Sequence, residues 1–151
     1  MKWDTEESVK RVVEKWLDKK GFAHDGPRTD KVHGVDIKRW NDIRRKYWFI
    51  EVKGAPQKRY QKGPKKGQEK SRQSRSSQRY IWPVEALGQI ALRMRQVNGN
   101  YGIALPLTEY NQDLALDIEL FRKRTKLHFF LVDRRKNIFQ LTPFARQFKK
   151  V

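Results

Sequence analysis

The apolar residues near the start of the chain recur at the spacing of an amphipathic helix. Five residues share this three-or-four-residue repeat: Val9, Val12, Val13, Trp16 and Leu17. The pattern predicts a helix over residues 4–20. Asp4 or Thr5 is placed to cap its first turn, and Gly21 follows as the residue that ends it.

Beyond this helix the pattern alternates between strands and helices. The predicted elements are a short strand at 22–24, β-rich runs at 32–40 and 47–53, a helix at 83–97 with Pro83 in its first turn, a strand at 101–105, a helix at 112–125, and strands at 128–133 and 138–141. With a last helix, the order is α-β-β-β-loop-α-β-α-β-β-α. This order predicts an α/β fold in which helices flank a mixed sheet.

The two β-rich runs, joined across Asn41 and Asp42, are the best candidate for a hairpin. We expect Asp36 to pair with Glu51, because that register collects the aliphatic residues on one face and sets Arg39 opposite Trp48. The aliphatic face then holds Val35, Ile37, Ile50 and Val52.

The opposite face of the same hairpin collects the polar side chains. It sets Asp36 against Glu51 and Gly34 against Lys53, with the glycine leaving space beside the lysine. Directly opposed Cβ atoms are about 5 Å apart, so two carboxylates there repel unless a cation neutralises them. Mg²⁺ and Mn²⁺ prefer such oxygen ligands and accept phosphate oxygens in their remaining positions.

Residues 54–80 are rich in Gly, Pro, Ser and Gln and cannot build a packed core. The chain is about one domain long, so we predict a single domain over 1–151 with a basic flexible insertion at about 54–80. Tyr60, Tyr80 or Trp82 could pack on a sugar or base. Nine basic residues of the segment are candidates for phosphate contacts: Lys58, Arg59, Lys62, Lys65, Lys66, Lys70, Arg72, Arg75 and Arg79.

The charge of the whole chain favours a polyanionic partner. Thirty-five Lys and Arg residues against seventeen Asp and Glu residues leave a net charge of +18, and nucleic acid is the first candidate. No apolar run is long enough to cross a membrane. Cysteine is absent, which excludes disulfides, thiolate zinc sites and cysteine nucleophiles. The first residues lack the apolar core of a signal peptide, so we expect a cytoplasmic protein.

The residues GVD at 34–36 and FIEVKG at 49–54 resemble the PD-(D/E)XK nuclease superfamily. This superfamily has the restriction-endonuclease-like fold and includes restriction endonucleases and archaeal Holliday-junction resolvases. The resemblance covers the order of elements from about residue 5 to residue 106, and it departs from the pattern where Val35 stands before the aspartate in place of proline. It implies that Asp36 and Glu51 bind Mg²⁺ or Mn²⁺ and that Lys53 orients the attacking water or stabilises developing charge.

Two further residues enter through the same resemblance. Members often carry a glutamate on the first helix near the metal; Glu6 lies closer to the apolar stripe than Glu7, so Glu6 is the better candidate ligand. Some branches carry a glutamine on the helix after the Glu-x-Lys strand, which suggests a catalytic role for Gln89. A solvated glutamine is the alternative, because Gln89 projects away from the centre of the predicted buried stripe of Val84, Leu87, Ile90, Ala91, Met94 and Val97.

The sequence therefore predicts a Mg²⁺-dependent endodeoxyribonuclease that hydrolyses phosphodiester bonds in duplex or branched DNA. Restriction, repair and junction-resolving activities all fit, and paired cuts by so small a domain would require a homodimer. A non-catalytic DNA-binding or scaffolding subunit that retains the fold is the alternative, and RNA is not excluded as the substrate. His24, His33 and His128 show no zinc-binding spacing.

Overall fold

A computed structural model describes residues 2–26, 34–60, 62–95 and 99–151. Helices and strands alternate along these ranges. In chain order they are α1 (Glu6–Lys19), β1 (Ile37–Asn41), β2 (Lys46–Val52), α2 (Arg72–Arg93), β3 (Gly99–Pro106), α3 (Glu109–Asp117), α4 (Glu119–Thr125), β4 (Leu127–Val132), β5 (Ile138–Leu141) and β6 (Lys149–Lys150).

The strands form one mixed six-stranded sheet in the order β1-β2-β3-β4-β5-β6. The central strands β2, β3 and β4 are parallel, and the pairs β1–β2, β4–β5 and β5–β6 are antiparallel. The predicted α/β class with a mixed sheet is confirmed. Because β2, β3 and β4 run the same way, Lys53, Leu107 and Asp133, which follow them, lie at one edge of the sheet.

Helices cover both faces of the sheet and bury two apolar clusters. On one face, α1 buries Val9, Val13 and Leu17 against a cluster that includes Ile50 and Phe130. On the other face, α2 supplies Ala86 and Ile90 to a cluster formed with Phe49, Ile103 and Phe129. Strand β2 is therefore covered on both sides, which explains why six of its seven residues are buried.

The prediction for the first helix is confirmed, and its cap is resolved. Thr5 is the N-cap, and its hydroxyl accepts a hydrogen bond from the Ser8 amide at 3.1 Å. The helix ends at Lys19, and Gly21 adopts a φ of +88°, a left-handed conformation that glycine takes without a steric penalty.

The hairpin has the predicted register, with Ile37 opposite Ile50 and Arg39 opposite Trp48. However, β1 begins at Ile37, and the predicted position of Val35 on the aliphatic face is wrong. Val35 packs into the cluster on the α2 face, because the extended pairing stops before it and side chains no longer alternate. The predicted start of this strand at Val32 lies outside the described residues, as does His33.

The second helix begins eleven residues earlier than predicted. Ser71 caps it by accepting a hydrogen bond from the Ser74 amide at 3.0 Å, and Pro83 lies in its interior, not in its first turn. The early turns were missed because they carry few apolar residues. The predicted stripe is also rotated, since Pro83, Ala86 and Ile90 are buried whereas Val84 is 52% exposed. Ala91 is exposed as well, and Val97 lies outside the described residues.

The segment 54–80, predicted as a flexible insertion, contains local structure. The described residues 58–60 and 62–70 form a hairpin-like loop, the 58–70 loop, in which the Lys70 amide donates to the Lys58 carbonyl at 2.7 Å and the Tyr60 amide to the Gln68 carbonyl at 2.9 Å. Residues 72–80 belong to α2. The mobility of the segment stays a prediction. Its description as a loop throughout is wrong, because it contains hydrogen-bonded structure and the first turns of α2.

Three other predictions need correction. The helix expected over 112–125 is two helices, α3 and α4, separated at Ile118. The predicted last helix is absent from the described residues after Leu141; β6 pairs with β5 there instead. The expected strand at 22–24 is only an isolated bridge between His24 and Trp40. No helix in the described ranges has the length and apolar character needed to cross a membrane.

Candidate active site

Asp36 and Glu51 lie together where the hairpin pairing ends. Glu51 is on β2 and only 2% exposed, and Asp36 immediately precedes β1. The Asp36 Oδ2 atom accepts a hydrogen bond from the Val52 amide at 2.7 Å, so the side chain extends the hydrogen bonding of the hairpin by one step. This contact fixes one carboxylate oxygen of Asp36, and the Asp36 side chain also hydrogen-bonds with Glu51.

The two acidic side chains act on each other. The pKa of Glu51 is raised to about 8, chiefly by burial and then by a hydrogen bond to Asp36 and the Asp36 charge, against the lowering effect of Arg93 and Lys53. The surroundings of Glu51 therefore favour its protonated form when no cation is bound. A closely spaced pair of this kind is typical of functional sites.

Arg93, which sequence reasoning missed, supplies the cation that faces this pair. It lies in the last turn of α2, and its Nη1 group donates to the Oε1 atom of Glu51. A Cβ atom at Gly34 would lie 3.2 Å from Arg93 Nη2. The space beside Gly34, which we expected to serve Lys53, is thus occupied by Arg93. The only sequence signal was a basic residue near the predicted end of a helix, a common feature of helices in general.

Lys53 follows β2 at the same end of the hairpin. Its amide donates to the Ala104 carbonyl at 3.1 Å, and its positive charge lowers the pKa of Glu51. The next residue, Gly54, packs against the start of α1 so closely that a Cβ atom would overlap the backbone nitrogen of Glu6. The beginning of α1 is therefore held beside the chain that carries Lys53.

The structure does not bring the first-helix glutamates into the pair. Glu6 is exposed in the first turn of α1, and Glu7 forms an exposed ion pair with Arg11 at 2.6 Å. Among the described residues, no group of three or more His, Asp or Glu side chains could together hold a metal ion. The role of Glu6 as a third ligand stays a prediction; α1 covers the sheet face opposite the one that bears Glu51, and the start of α1 lies beside Gly54.

Gln89 lies one helical turn before Arg93 and on the same flank of α2. Its side chain is partly buried, and its Oε1 atom is buried without a hydrogen-bond partner among the described residues. A solvated glutamine is therefore the wrong description. The unpartnered amide oxygen is compatible with a role near the carboxyl pair, and the catalytic role itself stays a prediction.

The donors present fit a hard divalent cation. Mg²⁺ is commonly bound through one or two carboxylates, with waters and substrate phosphates completing its coordination. Asp36 and Glu51 supply such a pair, and the pKa of Glu51 lies close enough to neutrality for a cation to displace its proton. The same cation would also replace Arg93 as the counter-charge of Glu51.

The predicted phosphate-binding residues fall into two groups. One group is exposed to solvent and has seven members: Lys58, Arg59, Lys62, Lys65, Lys66, Arg72 and Arg79. The other group is at least partly buried and consists of Arg75 and Lys70. Lys70 departs from the prediction because it is only 7% exposed. Its ammonium group donates to Gln78 Oε1 at 3.0 Å and lies over the rings of Tyr60 and Trp82.

The two described histidines, His24 and His128, contact neighbouring side chains and lie apart from the carboxyl pair. His24 lies 2.9 Å from Asp42 in an exposed pair. His128 lies among Trp48, Phe130 and Gln140, where burial lowers its pKa to about 4.

Comparisons of the chain with known protein families, curated proteins and solved structures gave no match.

Proposed function

We propose that this protein is a metal-dependent endonuclease that hydrolyses phosphodiester bonds in DNA with Mg²⁺ or Mn²⁺. The observation that carries the proposal is the carboxyl pair of Asp36 and Glu51 beside Lys53 at the end of one hairpin. Burying two acidic groups together lowers stability unless a cation compensates. The resemblance to PD-(D/E)XK nucleases supports the same assignment of these three residues.

In this proposal Asp36 and Glu51 would hold the cation, and the cation would supply a water of lowered pKa and shielding of the phosphate charge. The Val52 amide keeps the Asp36 carboxylate in place beside Glu51. Glu51 would bind in its charged form, which the neighbouring charges of Arg93 and Lys53 favour. Lys53 orients the attacking water and stabilises the negative charge that develops on the phosphate.

The basic segment 54–80 supports DNA as the substrate. This segment begins directly after Lys53, and it carries the exposed residues Lys62, Lys65 and Lys66. Phosphate contacts of this kind position a duplex or branched substrate without specifying its sequence. Paired cuts at a junction would require two copies of the chain, and a homodimer is part of the proposal for that substrate.

One observation favours a second candidate function. Arg93 already pairs with Glu51, and a resident arginine at that position would suit a DNA-binding or scaffolding subunit that keeps the fold without the catalysis. The two functions differ in whether a divalent cation takes the place of the arginine.

A cleavage panel tests the proposal. Linear duplex, flap, four-way junction and single-stranded DNA are incubated with the protein with and without Mg²⁺ or Mn²⁺. We expect Asp36→Asn, Glu51→Gln and Lys53→Ala each to lower cleavage by at least about two to three orders of magnitude, because each acts on the metal or the water. Their effects should not add, because the three residues act as one unit.

The exposed Asp113→Asn, on α3, is the matched control and should cut like the parent protein. If Asp36→Asn cuts every substrate at the parental rate, the proposed active site is wrong. If the folded parent cuts none of the four substrates with either metal but binds DNA, the second candidate function replaces the first.

A further inference from the structure

A groove of about 680 Å³ lies between α1 and the turn that joins β4 to β5. Its wall is strongly basic. Six cationic side chains line it: Lys2, Arg11, Lys15, Lys19, Arg134 and Lys136. No Asp or Glu side chain from the described ranges is among the lining residues. The groove is therefore a concentrated positive site, distinct from the 58–70 loop.

One wall of the groove is a regular row of charge. Arg11, Lys15 and Lys19 are four residues apart on α1, so they lie on one side of the helix at intervals of about 6 Å. Arg11 also pairs with Glu7, but Lys15 and Lys19 have no ion pair among the described residues. The helix fixes the backbone that carries these charges, so only their side chains are ordered when an anion binds.

The opposite wall is held in place by Asp133. Its Oδ1 atom accepts hydrogen bonds from the Arg135 and Asn137 amides at 2.9 and 2.8 Å, and Lys136 adopts a φ of +66° within this turn. The turn therefore presents Arg134 and Lys136 from a fixed backbone. Neither wall needs to fold around a ligand.

Two indole rings accompany the cations. Trp16 lines the groove and packs on Trp48 and Phe130, with ring centroids 6.4 and 5.2 Å apart, so its position is fixed. Trp3 also lines the groove and is partly exposed. The Ser8 hydroxyl donates to the Lys2 carbonyl at 2.5 Å, which fixes the backbone next to Trp3.

The groove lies on the sheet face that α1 covers, whereas Glu51 lies on the opposite face. The β4–β5 turn of the groove follows the C-terminal end of β4, at the same edge of the sheet as Lys53 after β2. The backbone next to Trp3 is tied to that edge, because the Ala55 amide donates to the Asp4 carbonyl at 2.7 Å. A strand that runs from the groove to the carboxyl pair would therefore pass around this edge.

We propose that this groove binds a single strand of nucleic acid, with the cations on the phosphates and a base stacked on Trp3. Cations that track a backbone beside an aromatic ring are the usual design of single-strand sites, and stacking on the ring requires a base that is not paired. The inference rests on the proposed function, because it names the substrate of the carboxyl pair as DNA with a single-stranded arm.

The test measures binding in EDTA, where cleavage plays no part. The anisotropy of a labelled single-stranded oligonucleotide, and of the duplex of the same sequence, is followed over a salt series. The double variant Lys15→Gln/Lys19→Gln should flatten the single-strand log–log salt slope by about 1.4, because each lost phosphate contact contributes about 0.7. The control Arg44→Gln/Lys46→Gln removes two exposed charges at the other end of β2 and should leave the slope unchanged.

Trp3→Ala should weaken single-strand binding about tenfold or more, and Trp3→Phe should retain most of it. Both variants should bind the duplex as the parent does, and thermal melts check that they fold. Equal slope changes in the two double variants, or undiminished single-strand affinity in folded Trp3→Ala, overturn the inference. Groove-dependent binding without any metal-dependent cleavage would leave the groove standing and contradict the proposed nuclease function instead.

Discussion

Arg122 and Arg93 are two arginines that differ in the groups to which they donate hydrogen bonds. Arg122, on α4, is fully buried and donates to four backbone carbonyls, those of Ala115, Thr142, Pro143 and Ala145 at 2.8 to 3.1 Å. Arg93, on α2, keeps a quarter of its side chain exposed and donates to the carboxyl group of Glu51.

The difference lies in whether the partner could accept another cation. Backbone carbonyls joined by one guanidinium tie α3 and the 142–145 turn to α4, and no small ion matches that spread of acceptors. A carboxyl pair is the ligand set that a divalent cation prefers. Arg122 is thus a structural cation, whereas Arg93 occupies a position for which a metal ion could compete.

The largest effect is expected from removing the structural cation. Arg122→Met keeps most of the volume but leaves four buried carbonyls without donors, so the free energy of unfolding should fall by about 3 kcal/mol or more. Urea unfolding measures this. Arg124→Met, an exposed position on the same helix, is the control and should change stability by less than about 0.5 kcal/mol. An unaltered midpoint for Arg122→Met would show that the carbonyls find other donors.

His128 extends the comparison to a half-buried base that has no anionic partner in the part of the chain that the structure describes. Burial lowers its pKa to about 4 from 6.5, and Gln140 Nε2 lies 3.1 Å from its Nδ1 atom. The folded protein favours the neutral ring, so this stability is fully present above about pH 6.5 and is lost as the pH falls through about 4.

Between pH 7 and pH 4 the parent should therefore lose up to about 3 kcal/mol through this residue. Urea unfolding at pH 7, 5.5 and 4 gives the slope, and His128→Phe should reduce it. His24→Phe is the control, because it removes an exposed imidazole. Equal slopes for the parent and His128→Phe would assign the acid sensitivity to other groups.

The smallest effect concerns the arginine that a metal could displace. Arg93→Met should strengthen Mn²⁺ binding about fivefold, because a partly exposed ion pair of roughly 1 kcal/mol no longer has to be broken. Isothermal titration in the absence of DNA measures this. Arg95→Met, exposed two residues further on, controls for the loss of positive charge. Weaker Mn²⁺ binding in Arg93→Met than in Arg95→Met would make Arg93 a support of the site and not a competitor.

Local patterns predicted the parts of the fold whose pairing is local. The α1 helix was predicted because its apolar stripe and Thr5 cap lie within one segment, and the β1–β2 register because a slip of one residue would put Ile37 and Ile50 on opposite faces of the sheet. Asp36 beside Glu51 followed from that register. No local pattern reports on Arg93, because its contact with Glu51 depends on where α2 crosses the sheet.

The errors have the same physical origin. Ser71 is a good cap, but the turns after it carry few apolar residues, so periodicity placed the helix start at Pro83. β6 is two lysines long and forms only because β5 offers an open edge. Tertiary contacts decide both features, and a pattern within one segment carries no information about them.

Pro83 also divides α2 into two parts that differ in how much they are buried. Proline has no amide hydrogen, so the Arg79 carbonyl lacks the donor that a helix normally provides four residues later. No residue from 72 to 82 is buried, whereas Ala86 and Ile90 anchor the turns after the proline. The turns before the proline are held instead by neighbouring side chains, from Lys70 to Gln78 and from Tyr110 to Tyr80. Bending α2 at Pro83 would have to break these contacts, and it would leave in place the buried turns that position Arg93 over the hairpin.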